Sequence, residues 1–388
     1  MKKVIILGGG FAGVQAAIEL SKKKIFDVTL ISNRDYFFLY PISIWIPTKS
    51  IPFENVKIPL SNIAQAHGLN FFVDEFTAII SNQNKIELKN QILEYDYLIV
   101  AIGADKVQHN GIENTLSICG KPETSLEIQK RIEELVEQNK GTIALGFGGN
   151  PKDKSAVRGG PAFELAFNLD HYLKQKKIRD KFNLIFFAPM EEPGARMGKK
   201  AMQMANNMLD SFGIKRYFGK KIKKFDSDGV VFEDDSKIQS DLTLFIPAST
   251  GNKALQNSDL PLTEAGFVKI DDNCLVENTK NVFAVGDVAA LNGPEWKAKQ
   301  GHMAEVMARA AVNNIYAIET NNSHRQGYQK HLNILCIMDT GNGAAFVFRN
   351  DKRAFAIPLP VIGHTIKKMW GKYVILTKLR KIPRLPGL

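Results

Sequence analysis

The chain has 388 residues, of which 44% are apolar, 23% charged and 9% aromatic, values typical of a globular protein. At roughly 100–200 residues per domain, this length suggests two or three domains that each bury a core. No stretch of about 18 uncharged apolar residues occurs, so the sequence predicts no membrane-spanning helix. The three cysteines, Cys119, Cys274 and Cys336, are too few for a disulfide scaffold, which indicates a reducing, cytoplasmic environment.

The N-terminus reads as a strand, a glycine-rich turn and a helix. The apolar run at 3–7 enters Gly8-Gly9-Gly10-Phe11-Ala12-Gly13, and a helical pattern follows over 14–22. This Gly-x-Gly-x-x-Gly spacing inside a βαβ unit is typical of dinucleotide binding. Gly8 allows the tight turn, Gly10 lets a pyrophosphate approach the backbone, and Gly13 lets the helix pack closely on the strand. The diphosphate is then expected on the amides at the helix N-terminus.

The second strand, predicted over 28–32, ends in Ser32 and Asn33. Dinucleotide-binding folds usually carry Asp or Glu at this position, where the acid bonds the adenosine ribose. A hydroxyl and an amide can also bond a ribose, so we retain dinucleotide binding.

Two later segments, YDYLIVAIG at 95–103 and NVFAVGDVA at 281–289, are further strands that end in small residues. Between them, a third apolar strand at 142–149 enters glycines, but residues 150–158 intervene before the helix predicted over 159–174. A turn that binds pyrophosphate passes directly into its helix. The segment therefore predicts a second dinucleotide-type domain whose enlarged turn argues against a nicotinamide site.

The C-terminal end carries most of the net charge. Residues 352–388 hold nine basic residues and no acidic one, so they supply +9 of the net charge of +11. Apolar residues recur at steps of three and four from 365 to 381, which predicts a helix with an apolar face beside a lysine-rich face. Such a helix can lie in a bilayer interface. We expect contact with an anionic membrane surface, and expect that removing 360–388 leaves a soluble protein. The alternatives are docking on the protein's own core alone and, least favoured, nucleic acid.

The glycine turn, the YDYLIVAIG strand and the VFAVGD strand resemble, in this order, the FAD-dependent disulfide reductase superfamily. Within it, the chain resembles the sulfide:quinone oxidoreductases and the flavoprotein subunits of flavocytochrome c sulfide dehydrogenases over essentially its whole length. The segments that carry this resemblance are VTLISNRDYFFLYPISIW (28–45), LSICGKPET (116–124), GGPAFELAFNLD (159–170), KQGHMAEVMARAAVNNI (299–315) and LCIMDTGNGAAFVF (335–348).

The resemblance implies FAD as cofactor, quinone as electron acceptor, sulfide or a related sulfur species as donor, and a C-terminal monotopic membrane anchor beside the quinone. It implies that Asp287 bonds the ribityl chain of the flavin. The residues that the motif and the resemblance together assign to the cofactor are Gly8, Gly10, Phe11, Ala12, Gly13, Ser32, Asn33, Val73, Ala101, Ile102, Gly103, Gly286, Asp287 and Lys299.

The resemblance also implies catalytic cysteines, and here the sequence departs from the family. Enzymes of that family use the middle and third of three cysteines as a redox pair; Cys336 falls on the third position and Cys119 on the first, but Arg158 stands at the middle one. Cys119 then moves within reach of Cys336, or Cys336 acts alone with an external sulfur acceptor, or the donor is not sulfide. Each cysteine could also be merely a small buried residue. Arg158 would attract an anionic donor or lower the pKa of a nearby thiol.

Two further charged residues complete the expected catalytic set. Lys299 precedes a predicted helix that points at the flavin, where it could stabilise the reduced ring, unless it is simply a solvated lysine. Glu164 matches a family acid that handles protons, or it is a partner for the dipole at its helix start.

We therefore predict an α/β fold with two Rossmann-like domains and a C-terminal region that associates with a membrane. The expected ranges are 1–115 and 241–315 for the FAD-binding domain, 116–240 for the second domain, and 316–388 for the C-terminal domain. The predicted function is a sulfide:quinone reductase on the inner face of the cell membrane, without a metal; a homo-oligomer is left open. The alternatives are a type II NADH:quinone oxidoreductase and a flavin-binding redox sensor.

Overall fold

The computed structural model describes residues 1–385, and its helices follow the predicted order. They are α1 (Phe11–Ser21), α2 (Tyr40–Ser43), α3 (Leu60–His67), α4 (Thr124–Glu137), α5 (Gly160–Gln175), α6 (Lys199–Ser211), α7 (Gly301–Glu319) and α8 (Ile362–Lys378).

A five-stranded parallel sheet forms the first layer. Its strands lie in the order Val282–Ala284, Tyr97–Val100, Lys2–Leu7, Phe26–Ser32 and Asn70–Val73. The run at 4–7 is buried on both faces, as expected for a strand in a parallel sheet covered by helices. Helix α1 packs against α7, so the start and the late part of the chain form one unit.

The second parallel sheet has the order Lys215–Phe218, Phe182–Ala188, Gly141–Phe147 and Leu242–Ile246. Its last strand, Leu242–Ile246, lies after residue 240, where the second domain was predicted to end. Helix α7 continues past residue 315, where the FAD-binding domain was predicted to end. The domain limits therefore remain predictions.

Antiparallel elements complete the fold. They are the meander Ile222–Asp226, Gly229–Phe232 and Lys237–Gln239, the sheet Phe76–Ile80, Lys85–Leu88 and Ile92–Glu94, the pairs Tyr36–Phe38 with Lys57–Pro59 and Asp105–Lys106 with Ser249–Thr250, and the C-terminal sheet Ile334–Asp339, Gly343–Arg349 and Ala354–Pro360. The C-terminal sheet is followed directly by α8, which packs on it. In the part of the chain that is described, no helix has the length and apolar character needed to cross a membrane.

Candidate functional site

The glycine turn forms a cradle at the start of α1. Gly8 has φ +112°, and a Cβ there would lie 2.3 Å from the carbonyl oxygen of Ala101. A Cβ on Gly13 would lie 1.8 Å from the carbonyl oxygen of Gly8. Gly10 differs, because its Cβ position has no protein atom within 4 Å and faces open space. Gly8 and Gly13 thus hold strand and helix together, while Gly10 leaves room for a ligand.

That open space belongs to a cavity of about 2080 Å³. The predicted residues that line it are Gly8, Gly10, Phe11, Ala12, Ser32, Asn33, Val73, Ala101, Ile102, Gly103, Cys119, Arg158, Glu164, Gly286, Asp287, Lys299 and Cys336. Gly13 alone of the predicted residues is not on the wall, because it packs beneath Gly8. The structure therefore brings residues from all parts of the chain to one cavity.

Ser32 lines the cavity but is only 4% exposed. Its Oγ accepts a hydrogen bond from the amide of Arg34 at 3.1 Å, and it lies against Gly9. Ser32 therefore helps to shape the turn, and Asn33 beside it is more open to a ribose.

Arg158 forms an ion pair with Asp287, the residue that the resemblance assigned to the ribityl chain. Their side chains are 26% and 23% exposed, and Nε of Arg158 is buried without a hydrogen-bond partner. Arg158 is thus directed at Asp287, a residue that the resemblance assigns to the cofactor.

Cys336 lies on strand Ile334–Asp339, half-buried at the cavity wall. Burial, with the charge of Glu164 adding to it, raises the pKa of this thiol to about 12. Cys336 is therefore a protonated thiol at neutral pH, and the reactive thiolate needs a base to form.

Glu164 is the fifth residue of α5 and does not serve the helix dipole, so that alternative was wrong. It forms a buried ion pair with Lys367 of α8, and it accepts a hydrogen bond from the amide of Asp339 at 2.7 Å. Burial raises the pKa of Glu164, while Lys367 opposes that rise. Lys367 was missed by sequence reasoning, and the pair lies beside Cys336.

Asp339 connects three elements below this pair. Its carboxylate accepts a hydrogen bond from Nε1 of Trp45 at 3.1 Å and lies 2.7 Å from Nδ1 of His364. Trp45 and Asp339 are both fully buried. Trp45 is 294 positions and His364 is 25 positions from Asp339 in sequence, so no local pattern could have paired them.

Cys119 also lines the cavity, in the loop after residue 116, and its neighbours are Tyr40 and Lys106. All three cysteines are free thiols, and Cys274 is fully buried. Cys119 and Cys336 share a cavity without forming a disulfide.

Lys299 is 5% exposed, which rules out the solvated-lysine alternative. It precedes α7, its ammonium donates to the carbonyl oxygen of Ala289, and it lies 3.9 Å from the ring centroid of Phe267. Burial lowers the pKa of Lys299 to about 7.

The enlarged turn of the second sheet directs α5 at this same cavity. Residues Arg158, Gly159, Gly160 and Pro161 line it, and the helix begins only at Gly160. Gly149 faces the methyl group of Met190, at 3.5 Å from a Cβ position. The absence of a nicotinamide site at this turn stays a prediction.

Helix α8 begins at Ile362, three residues earlier than predicted, and two of its lysines point inward. Lys378 is 3% exposed and lies 2.7 Å from Glu305, which also pairs with Arg384 at 2.6 Å. The prediction of a lysine-rich exposed face was therefore partly wrong, because Lys367 and Lys378 are buried counterions. Removing 360–388 would leave Glu164 and Glu305 unpaired, which argues against an intact truncated flavoprotein.

The opposite side of α8 and the strand before it are apolar and exposed. Exposed fractions are 77% for Val361, 56% for Ile362, 39% for Ile366 and 66% for Met369. The helix thus docks on the core and also presents an apolar surface.

Residues 2–312 match the family model described as pyridine nucleotide-disulphide oxidoreductase. The chain belongs to this family. It therefore has the α/β fold of an FAD-dependent oxidoreductase, which confirms the predicted cofactor and enzyme class.

Known relatives include enzymes that reduce quinones. The sulfide-quinone reductase of Aquifex aeolicus is 28% identical over 371 residues, which cover 89% of this chain and 83% of the relative. The crystal structure of the sulfide:quinone oxidoreductase of Aquifex aeolicus matches with a TM-score of 0.88 at 25% identity, over 98% of this chain and 92% of that one. A type II NADH:quinone oxidoreductase of Staphylococcus saprophyticus is 23% identical over 316 residues, 75% of each chain.

Proposed function

We propose that the chain passes electrons from sulfide, or a related sulfur donor, through bound FAD to a quinone at a membrane surface. The observation that carries this proposal is the placement of Cys336 and the Glu164–Lys367 pair on the cavity that also holds the glycine cradle. The similarity to a sulfide-quinone reductase over most of both chains supports the same activity.

The residues present fit a dinucleotide cofactor. Gly10 leaves open space above the N-terminus of α1, where the amides and the helix dipole favour a diphosphate. Asp287 offers a carboxylate to ribityl hydroxyls, and the unpartnered Nε of Arg158 offers a donor beside it. Bound FAD would supply two-electron acceptance from the donor and transfer to quinone.

Cys336 lies on the cavity wall, where its sulfur can bond the sulfur of the donor; the donor loses two electrons in that step, and bound FAD would accept them. Because its thiol is protonated at neutral pH, the proton has to move to another group before the sulfur becomes nucleophilic. Glu164 is the neighbouring carboxylate, and its raised pKa suits it to hold a proton. Lys367 keeps this carboxylate in place through the buried ion pair.

Lys299 lies next to the N-terminal end of α7, and because its pKa is about 7, negative charge that develops nearby favours its protonated form. That end also carries Gly301, against which Phe11 packs at 3.3 Å from a Cβ position. A buried cation and a helix N-terminus stabilise negative charge that develops nearby in a dry site.

The proposed membrane contact uses the exposed apolar side of α8. Met369 and Ile362 are large, apolar and more than half exposed, and Lys368 and Lys372 beside them are also exposed. Apolar side chains flanked by lysines suit the interface of an anionic bilayer. Association with the inner face of the cell membrane belongs to this proposal.

The test is steady-state reduction of a soluble quinone analogue by the purified holoprotein, with sulfide or NADH as donor. We expect sulfide to support quinone reduction and NADH to give none. Cys336→Ser should abolish the sulfide reaction, and Cys119→Ser should abolish it only if Cys119 has replaced the missing partner. Quinone reduction with NADH alone would contradict the proposal and favour the type II NADH enzyme.

A further inference from the structure

The enlarged turn at 148–159 carries Arg158 and is surrounded by three more cations. Arg196 donates to the carbonyl oxygens of Ser155, at 3.3 Å, and of Val157. The amide of Lys299 donates to Ser155 as well, at 3.4 Å. On the other side, Lys106 pairs in register with Ser249, whose carbonyl oxygen accepts from Nδ2 of Asn150 at 2.9 Å. We call Lys106, Arg158, Arg196 and Lys299 the cationic wall, and all four line the cavity.

The cationic wall is poorly neutralised. Within residues 1–385, Asp287 is the one carboxylate found in an ion pair with any of its four members. Asp153 lies near, but its carboxylate is engaged by the amide and the hydroxyl of Ser155 at 2.8 and 2.6 Å, and it does not line the cavity. Burial and, to a smaller extent, the charge of Arg158 lower the pKa of Lys106 to about 8. An anion placed among these groups would relieve their mutual repulsion.

The shape of the donors indicates which anion fits. Two of the four side chains are guanidinium groups, which match oxyanions with paired N–H donors, whereas a spherical anion gains little from this geometry. Within residues 1–385, Nε of Arg158 is buried without a hydrogen-bond partner, so this group would gain from an acceptor.

We propose that the cationic wall is a binding site for an oxyanion group, carried by the sulfur donor or by a sulfur acceptor that takes the place of the missing cysteine. This rests on the proposed function. A domain that binds a nicotinamide cofactor has its anion site at the turn of its own sheet. The enlarged turn instead presents its cationic side chains to the cavity where FAD would bind.

The diphosphate of FAD is the other source of an oxyanion, and the experiment separates the two. Sulfate is titrated into the FAD-loaded protein at low ionic strength and followed by calorimetry, with chloride at matched ionic strength as reference. Wild type should bind sulfate saturably. Lys106→Met should weaken sulfate binding about tenfold and keep its FAD, because the ammonium of Lys106 makes no hydrogen bond or ion pair within residues 1–385 that the fold would lose.

Two further variants make the result specific. Arg196→Lys keeps the charge but loses the guanidinium, so sulfate should weaken by less than in Arg196→Gln. Lys152→Gln removes the same charge from the same turn, but Lys152 pairs with Glu264 at 2.9 Å outside the cavity, so its sulfate affinity should match wild type.

Two outcomes would overturn the site. One is a holoprotein that does not bind sulfate, or binds it equally well in Lys106→Met. The other is that the variants lose FAD while sulfate affinity stays the same, which would assign the cations to the diphosphate. Sulfate binding to the resting holoprotein needs no turnover. The protein can therefore fail to bind sulfate while sulfide still reduces quinone, and it can bind sulfate while sulfide reduces no quinone.

Discussion

Lys367 of the C-terminal helix and Glu164 of α5 form an ion pair whose side chains are 5% and 6% exposed, although 203 residues separate them in sequence. Two charges taken out of water in this way are each costly to bury, and each depends on the other. The pair joins α8 to α5, the helix that follows the first strand of the second parallel sheet, next to Cys336. The region predicted to contact the membrane is thus also part of the wall of the cavity.

Breaking this pair should destabilise the fold. Lys367→Met leaves the Glu164 carboxylate buried alone, and we expect a loss of about 3–5 kcal/mol in the free energy of unfolding. Urea unfolding followed by circular dichroism measures it. Adding Glu164→Gln to Lys367→Met should restore part of the loss, and the exposed Lys372→Met should match wild type. Equal stability of Lys367→Met and Lys372→Met would contradict the buried pair.

The ion pairs of Glu305 with Lys378 and Arg384 predict that the stability of the fold depends on pH in the acid range. Burial alone would raise the pKa of Glu305, but Lys378 and Arg384 outweigh it and lower that pKa from 4.5 to about 2. Because the folded pKa lies below the unfolded one, the stabilisation is complete above about pH 4.5 and is lost as the pH falls towards 2. Stability of wild type should therefore fall more steeply across this window than that of Glu305→Gln. Parallel curves for the two proteins would show that Glu305 is not held ionised.

Gly10 and Gly13 should separate cofactor binding from folding. Gly10→Val places its side chain in open space, so we expect a folded protein without FAD. Gly13→Val drives a Cβ into the carbonyl group of Gly8, so we expect little folded protein at all. Flavin absorbance and thermal unfolding of the two proteins provide the comparison. A yellow Gly10→Val protein would place the diphosphate elsewhere.

The apolar side of α8 should determine membrane binding. Met369→Asp should reduce sedimentation with anionic vesicles several-fold, because a charge at the interface loses the apolar contact. Ile92→Asp is the matched control, since Ile92 is 62% exposed on an antiparallel strand of another sheet. Binding by wild type should also fall as salt rises. If Met369→Asp and Ile92→Asp bind vesicles equally, α8 is not the contact.

The sequence predicted the two parallel sheets because strand, glycine turn and helix follow one another locally. It also predicted that Gly10, Asp287 and Cys336 belong to the site, because each lies in a motif that spans only a few residues. The inward direction of Lys367 and Lys378 was missed because charged residues are rarely fully buried. A signal did exist: Gly363, Lys367, Gly371, Val374 and Lys378 form one helical stripe, and its glycines pack directly on Ala344 and Ile42.

The partners of Arg158 could not be found in this way. Its contact with Asp287 joins the enlarged turn to the first sheet, across 129 positions of sequence, and depends on how the two domains pack. The hydrogen bonds of Asp339 with Trp45, Glu164 and His364 likewise join different parts of the fold, and their pairing depends on tertiary packing. Long-range polar contacts are set by tertiary packing, which local periodicity does not encode.

The most direct test is anaerobic addition of sulfide to the purified holoprotein while flavin absorbance is recorded. We expect sulfide to bleach the flavin, quinone to restore its colour, and Cys336→Ser to keep FAD but remain unbleached. Arg158→Cys, which places a cysteine where the resemblance implies one, should bleach faster than wild type. Bleaching by NADH with none by sulfide, or full bleaching by sulfide in Cys336→Ser, would contradict the account.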